Sequence, residues 1–134
     1  MKAKPDMVNR SSMPVFVGIG ISSSATTGDM EEALKTLEKW NIAAFATLEG
    51  KESNGLILSA LQRFAVPLVT FSSEELETMT CFLKNPSDIV FQHTGCHGVA
   101  EAAALAASGK SGILLVEKTK IGGLTIAVAG QKEE

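Results

Sequence analysis

Val15-Phe-Val-Gly-Ile-Gly-Ile-Ser-Ser-Ser-Ala-Thr-Thr-Gly28 decides the fold class. Val15 to Gly20 is a short β-branched run that ends in glycines, the pattern of a buried strand. A hydroxyl-rich turn follows and leads into a helix, where Met30, Ala33, Leu34, Leu37 and Trp40 recur at helical spacing. Asp29, Glu31 and Glu32 suit the positive end of that helix. The same unit then repeats. Ala43 to Leu48 reads as a strand, Glu49 to Ser53 as a loop, and Leu56, Ile57, Ala60, Leu61 and Phe64 as one face of a second helix. Pro67 to Phe71 is a third strand. Ser72 and Glu75 form a capping box for a helix that points Leu76, Met79 and Phe82 inward and ends at Asn85-Pro86. Ile89 to Phe91 reads as a fourth strand.

Ile113 to Glu117 and Leu124 to Ala129 are two further strands, joined by Lys118 to Gly123. That joint is too short for a crossover helix, so the pair forms a hairpin. Strands alternating with helices and closed by a hairpin imply an α/β fold. The expected form is a three-layer α/β/α sandwich with a mostly parallel sheet and a C-terminal antiparallel hairpin. The 134 residues fit one domain over 14–130, with a loose arm at 1–13 and a tail at 131–134.

A net charge of -3 gives no basic footprint, which disfavours nucleic acid as a partner. No apolar run approaches the roughly 20 residues that span a bilayer, and Met1 to Met13 holds no apolar signal core. The expectation is a cytoplasmic protein without membrane contact. Cys81 and Cys96 lie in unrelated contexts and suggest reduced thiols, neither a disulfide framework nor a zinc site.

In such a sheet, ligands bind beyond the carboxyl ends of the strands. The loops there are 21–28, 49–53, 72–73 and 92–98. The first offers Gly18, Gly20, Ser22, Ser23, Ser24, Thr26, Thr27 and Gly28, small hydroxyls and amides suited to an anion. It imitates half of a dinucleotide fingerprint, with Glu49 as the acidic partner. However, Ser23 occupies the third glycine position and the helix starts near Gly28. A nucleotide-binding domain and a plain capped turn both remain readings of this loop.

His93, Cys96 and His97 fall within one short turn. They invite a metal, or for His97 an axial bond to a bound metallo-macrocycle, but the missing further ligands favour a hydrogen-bonded polar turn and no metal site. Thr94-Gly-Cys-His-Gly-Val-Ala-Glu-Ala-Ala-Ala-Leu-Ala-Ala-Ser108 opens from that turn into a helix whose only charged residue is Glu101, with Gly109 placed to stop it. So small and apolar a helix packs on almost every side. Glu101 either holds the helix's own free amides or faces a site as a general base. Lys51 lies in a ligand-end loop and Lys118 directly after a strand. No G-x-S-x-G elbow, Walker loop or paired-carboxylate spacing names a reaction.

Gly18-Ile-Gly20, Ala46-Thr47 with Lys51 and Gly55-Leu56, Val66-Pro67-Leu68 with Phe71 to Leu76, Gly98-Val-Ala-Glu-Ala-Ala-Ala-Leu105, and Leu115 to Lys118 with Leu124 to Ala129 occur in one order. Together they resemble the CobE / CbiG C-terminal domain family of cobalamin (vitamin B12) biosynthesis, from Pro14 to Ala129. The resemblance implies a corrinoid-binding α/β domain that binds a corrin or precorrin intermediate and assists ring contraction or lactone opening. In the longer cobalt-precorrin 5A hydrolases, a C–C bond hydrolase type, such a domain is the C-terminal module of an enzyme that opens a ring lactone and releases acetaldehyde. On this reading Gly20, Ser22, Ser23, Ser24, Thr26, Thr27, Thr47, Lys51, Gly95, His97, Gly98 and Lys118 meet the substrate, and Glu101 is the catalytic residue. No cofactor of its own is implied, and any cobalt belongs to the bound corrinoid. A non-catalytic module that docks on a partner enzyme of the pathway is the other expectation. Small residues on the alanine-rich helix also suit a homo-oligomer.

Overall fold

Alternation along the strands sorts large and small side chains onto opposite faces of one sheet, and this sets the whole architecture. The computed structural model describes residues 13–131. Strands β1 (Pro14–Ile21), β2 (Asn41–Leu48), β3 (Leu68–Phe71), β4 (Gly112–Ile121) and β5 (Leu124–Gln131) form a single five-stranded sheet in the order β3-β2-β1-β5-β4. β1, β2 and β3 are parallel neighbours, whereas β5 is antiparallel to both β1 and β4. Only β5 therefore runs against the rest, as the hairpin expectation required.

Val15, Val17, Ile19, Phe45, Leu124, Ile126 and Val128 face one side. There they meet helix α1 (Thr27–Leu37) through Met30, Ala33, Leu34 and Leu37, and helix α2 (Gly55–Phe64) through Ile57 and Ala60. The intervening positions Gly18, Gly20, Ala46, Ala127 and Ala129 present almost no side chain to the other side. That shallow face receives α5 (Val99–Ser108), whose Ala100, Ala102, Ala103 and Ala104 are all buried. Small residues on both partners let backbones approach closely, so contact over a short distance replaces bulky side chains. The short helix α3 (Ser73–Glu77) covers the same side through Leu76, giving three layers. No helix among the described residues is long and apolar enough to cross a membrane.

Local signals account for the helix ends. Thr26 and Asp29 make a reciprocal capping box on α1, Asn54 accepts from the Leu56 and Ile57 amides to start α2, and Ser72 with Glu75 caps α3. Gly109 ends α5 at φ 90 with ψ -172, so it has the positive φ the sequence suggested but not the left-handed helical ψ.

Four details differ from the sequence reading. Ile89 to Phe91 is not a strand but part of helix α4 (Asp88–Thr94). Ser87 Oγ accepts from Val90 N, Asp88 occupies the first turn, and Gly95 closes the helix at φ 85. Three apolar residues carry too little periodicity to separate the two states, and caps decided it. The helix expected to reach Asn85 stops at Glu77 and gives way to a 3₁₀ turn, Thr80–Phe82. The break shifts the helical phase, leaving Phe82 60% exposed instead of inward. Both hairpin strands are longer than expected, so that only Gly122 and Gly123 form the turn and β5 runs through Gln131, one residue into the expected tail. Trp40 lies beyond the end of α1 although it still packs on that core. The arm expected over 1–13 lies, but for Met13, outside the described residues, as do 132–134.

Candidate functional site

The carboxyl edge of the sheet gathers the ends of β1, β2 and β3, the β4–β5 turn, and the N-terminus of α5. Gly18 and Gly20 are required here by packing. A Cβ on Gly18 would lie within the van der Waals shell of the Ala100 carbonyl oxygen and 2.8 Å from Ala104 N. One on Gly20 would press on Thr125 Oγ1, which donates to Gly20 O at 3.2 Å. The pair thus admits α5 to the β1 backbone, and neither glycine forms a phosphate cradle.

The hydroxyl loop after β1 is anchored to the hairpin turn. Ser22 N and Ser22 Oγ both donate to Gly123 O, at 2.9 and 3.0 Å, and Ser22 Oγ lies 2.9 Å from Ser24 Oγ. Asp29 Oδ2 accepts from Thr26 N at 3.0 Å and from Gly123 N at 3.1 Å. These two backbone bonds hold the Asp29 carboxyl below its ordinary value, against a smaller opposing effect of burial. Thr26 Oγ1 takes the Asp29 amide and Asp29 Oδ2 the Thr26 amide, so two amides at the start of α1 are engaged within the capping box. The helix also begins only at Thr27 and not directly after Gly20, as a dinucleotide unit requires. Ser23 and Thr27 remain on the exposed side of the loop.

Thr47 is buried and its Oγ1 donates to Ile19 O at 2.7 Å, tying β2 to β1 below the edge. In the loop after β2, Gly50 N donates to Glu52 Oε1 at 2.8 Å and Asn54 N to Lys51 O at 3.0 Å, which fixes the main chain carrying the half-buried Lys51.

Glu101 is spent on donors from other elements and not on the amides of its own helix. It is 2% exposed and does not cap its own helix. Oε1 accepts from Lys84 N at 2.9 Å and Asn85 N at 3.0 Å, while Oε2 accepts from Asn85 Nδ2 and Lys118 N, both at 2.8 Å. Lys118 falls at an irregularity of edge strand β4, between Val116 and Thr119, and a bulge of this kind leaves an amide without a ladder partner. The carboxylate supplies it. Burial opposes the charge on Glu101, but the Lys118 amide, the Asn85 side chain and the Asn85 and Lys84 amides outweigh it, and its pKa is lowered. A carboxylate with four donors on its four acceptor positions and a lowered pKa is a poor proton acceptor. Glu101 clamps the 84–85 segment and β4 to the first turn of α5. Lys118 Nζ, 3.4 Å from Asn85 O, crosses the same junction.

The turn before α5 is equally built. His97 Nδ1 lies 2.9 Å from Glu77 Oε2, His97 N donates to Glu77 Oε1 at 3.0 Å, and His97 Nε2 is 3.4 Å from Asp88 Oδ1. Gly95 has a positive φ of 85 and lies against Ser73, while Gly98 is buried against Leu83. Among the described residues no group of three His, Cys, Asp or Glu side chains is arranged to hold a metal. His93 is exposed on α4 and the Cys96 thiol is buried beside Thr94 Oγ1.

The structure thus joins Gly20, Gly98, Glu101 and Lys118 around the start of α5, and Ser22, Ser24 and Thr26 around the hairpin turn. Lys51 shares only the sheet edge with them. Asn85, Asp29, Glu77 and Gly123 were not among the expected site residues. Asp29 had a visible signal as the third residue after Thr26, whereas the partners of Glu101 and His97 are distant in sequence and left none.

Residues 15–129 match the family described as Cobalamin synthesis G C-terminus. The chain is 45% identical over 85 residues to Protein CobE of Sinorhizobium sp, covering 63% of this chain and 55% of that protein. It is 32% identical over 119 residues to the cobalt-precorrin-5A hydrolase of Priestia megaterium, covering 84% of this chain and 31% of that one. Among solved structures, CobE, a protein from the cobalamin biosynthetic pathway, superposes with a TM-score of 0.77 at 25% identity, covering 91% of this chain and 93% of that chain. The cobalamin biosynthesis protein chiG of Agrobacterium tumefaciens gives 0.65 at 25% identity, covering 89% and 99%. The matched region spans about half of the Sinorhizobium protein and about a third of the hydrolase.

Proposed function

The chain belongs to the cobalamin synthesis G C-terminal family and is a cobalamin biosynthesis protein of the CobE/CbiG type, and from that premise we propose that it binds a corrin or precorrin intermediate at the carboxyl edge of its sheet. The observation that carries this reading is the start of α5. Gly98 offers no side-chain cap, and the first amides of this ten-residue helix, Ala100 N among them, lie beside Gly20 at the edge. Corrin intermediates carry peripheral carboxylates, which suit such amides and the positive end of the helix dipole. The exposed hydroxyls of Ser23 and Thr27 and the ammonium groups of Lys51 and Lys118 give further partners around a broad, flat ligand.

The role is to bind and orient the macrocycle for ring contraction or lactone opening, any cobalt entering as part of the ligand. Glu101 acts by holding Lys118 and the α5 start in place. Because the matched region is only about a third of the hydrolase, the C–C bond hydrolysis that the family resemblance implies is assigned to a complex with a pathway partner and not to this domain alone.

Titration with a carboxylate-bearing corrinoid of the cobyric type, followed by the visible absorbance of the macrocycle, tests the reading. A saturable spectral shift with thermal stabilisation is expected, weakened about tenfold by Lys51→Glu or Ser23→Glu and by added salt. No shift and no stabilisation at saturating corrinoid would leave the docking module as the better account.

A further inference from the structure

Helix α4 is held unlike the others. It buries none of its residues, and Ile89 is 69% and Phe91 43% exposed. At its C-terminal end Thr94 Oγ1 bonds to Cys96, and further connections among the described residues meet at His97. The Phe91 ring stacks on the His97 imidazole at 4.5 Å between centroids with a 19° interplanar angle, Asp88 Oδ1 lies 3.4 Å from His97 Nε2, and Ser87 N donates to His97 O at 2.8 Å. On the opposite side His97 Nδ1 meets Glu77 at the end of α3.

We infer that His97 is a proton-sensitive latch that docks α4 against α3 and the glycine turn leading to α5. The asymmetry of the two ring nitrogens supplies the mechanism. A neutral imidazole has one N–H and one lone pair. The tautomer with the proton on Nδ1 keeps the bond to Glu77, which the His97 main-chain amide also supports. Nε2 then turns a lone pair toward the Asp88 carboxylate, and the contact becomes repulsive. Protonation gives both nitrogens a hydrogen, joins both carboxylates to one cation, and places that cation on the Phe91 ring. Deprotonation therefore releases the α4 arm selectively and spares the α3 arm.

The charged groups that face the imidazole are Glu77 from α3 and Asp88 from α4. The acidic residue of α5, Glu101, is spent on Lys84, Asn85 and Lys118, and the nearby Cys96 thiol pairs with Thr94. Asp88 is well exposed, so the latch shifts a population and does not lock it; an exposed pair of this kind corresponds to about a two- to fivefold change in docking.

Amide hydrogen exchange by NMR, between about pH 5 and 8.5 and expressed as protection relative to the unfolded chain, reads this directly. The Phe91 and Gly95 amides, bonded to Ser87 O and Phe91 O, are expected to lose about two- to fivefold protection as the His97 ring signal titrates, while Ala103 and Ala104 in α5 hold theirs. Asp88→Asn, a surface change, should remove most of that step, and His93→Gln should leave it intact. Protection of α4 that stays flat through the His97 titration, a step undiminished in Asp88→Asn, or a step lost in His93→Gln would each overturn the latch.

Discussion

Replacing Glu101 by glutamine separates a clamp from a catalyst. The glutamine oxygen can take the place of Oε1 and keep the Lys84 and Asn85 amides. Its NH2 group then occupies the position of Oε2, where the Lys118 amide and the Asn85 side-chain amide both donate at 2.8 Å. Two hydrogen bonds to a charged acceptor are lost, each of about 1.5–3 kcal/mol, and donor is set against donor. Lys118 and Asn85 are half-buried, so water recovers part of the loss, and the expected destabilisation is about 2–4 kcal/mol, or roughly 10 °C in Tm. Denaturant unfolding of both proteins at several pH values measures it. The Glu101 carboxyl is held below its ordinary value, so its contribution is complete above the ordinary carboxylate range and fades as pH falls toward the folded value. The gap between wild type and Glu101→Gln should therefore be widest near neutral pH and close in acid. A variant as stable as wild type at pH 7, or a gap that does not close in acid, would refute the clamp. Unchanged stability with loss of lactone opening in a reconstituted system would restore Glu101 as the base.

Gly18→Ala places a methyl group on the α5 backbone at Ala100, and because the neighbour is main chain, the helix itself must lift; a loss of about 3 kcal/mol or complete failure to fold is expected, and near-native unfolding would disprove the close-approach argument. Thr47→Val keeps the shape of the side chain but removes the 2.7 Å bond to Ile19 O, for a cost of about 1 kcal/mol in chemical denaturation, with no change in corrinoid affinity if Thr47 supports the edge from below. Asp29→Asn weakens the link between α1 and the hairpin turn. Since the Asp29 carboxyl is held below its ordinary value, its contribution is present above the ordinary carboxylate range and lost as pH falls, so the variant should have the lower Tm near pH 7 and approach wild type in acid.

The alternation of strands and helices was legible because each unit carried its own periodicity and caps: Val15 to Gly20 followed by Thr26 and Asp29, or Ser72 with Glu75 before Leu76. What escaped was the region between Thr78 and Gly98. There the chain forms short pieces whose state depends on single bonds, such as Ser87 Oγ to Val90 N, and not on a hydrophobic face. The candidate site was legible as places only: the loops after β1 and β2 and the start of α5 do share the carboxyl edge. The roles were not. Whether a lone glutamate caps, catalyses or clamps depends on which amides approach it, and those on Lys84, Asn85 and Lys118 arrive from elements far away in sequence.

The glycine pair shows how one local pattern can serve opposite ends. In a dinucleotide-binding unit, Gly-x-Gly leads straight into the helix after the first strand, and that helix presents its amides to the ligand. Here α1 begins only at Thr27, its start closed by the Thr26–Asp29 capping box, and the turn before it is bonded to the hairpin. Gly18 and Gly20 serve a different helix. By leaving the backbone of β1 bare, they let α5 descend onto the sheet until its uncapped first turn stands at the carboxyl edge. The helix start beside the end of β1 is thus supplied from the other side of the sheet, by a helix that enters late in the chain. Gly18 and the alanine run of α5 consequently form one device: enlarging either should displace the Gly98 turn, and with it the helix start proposed to meet the ligand's carboxylates, before it affects the hydroxyl loop.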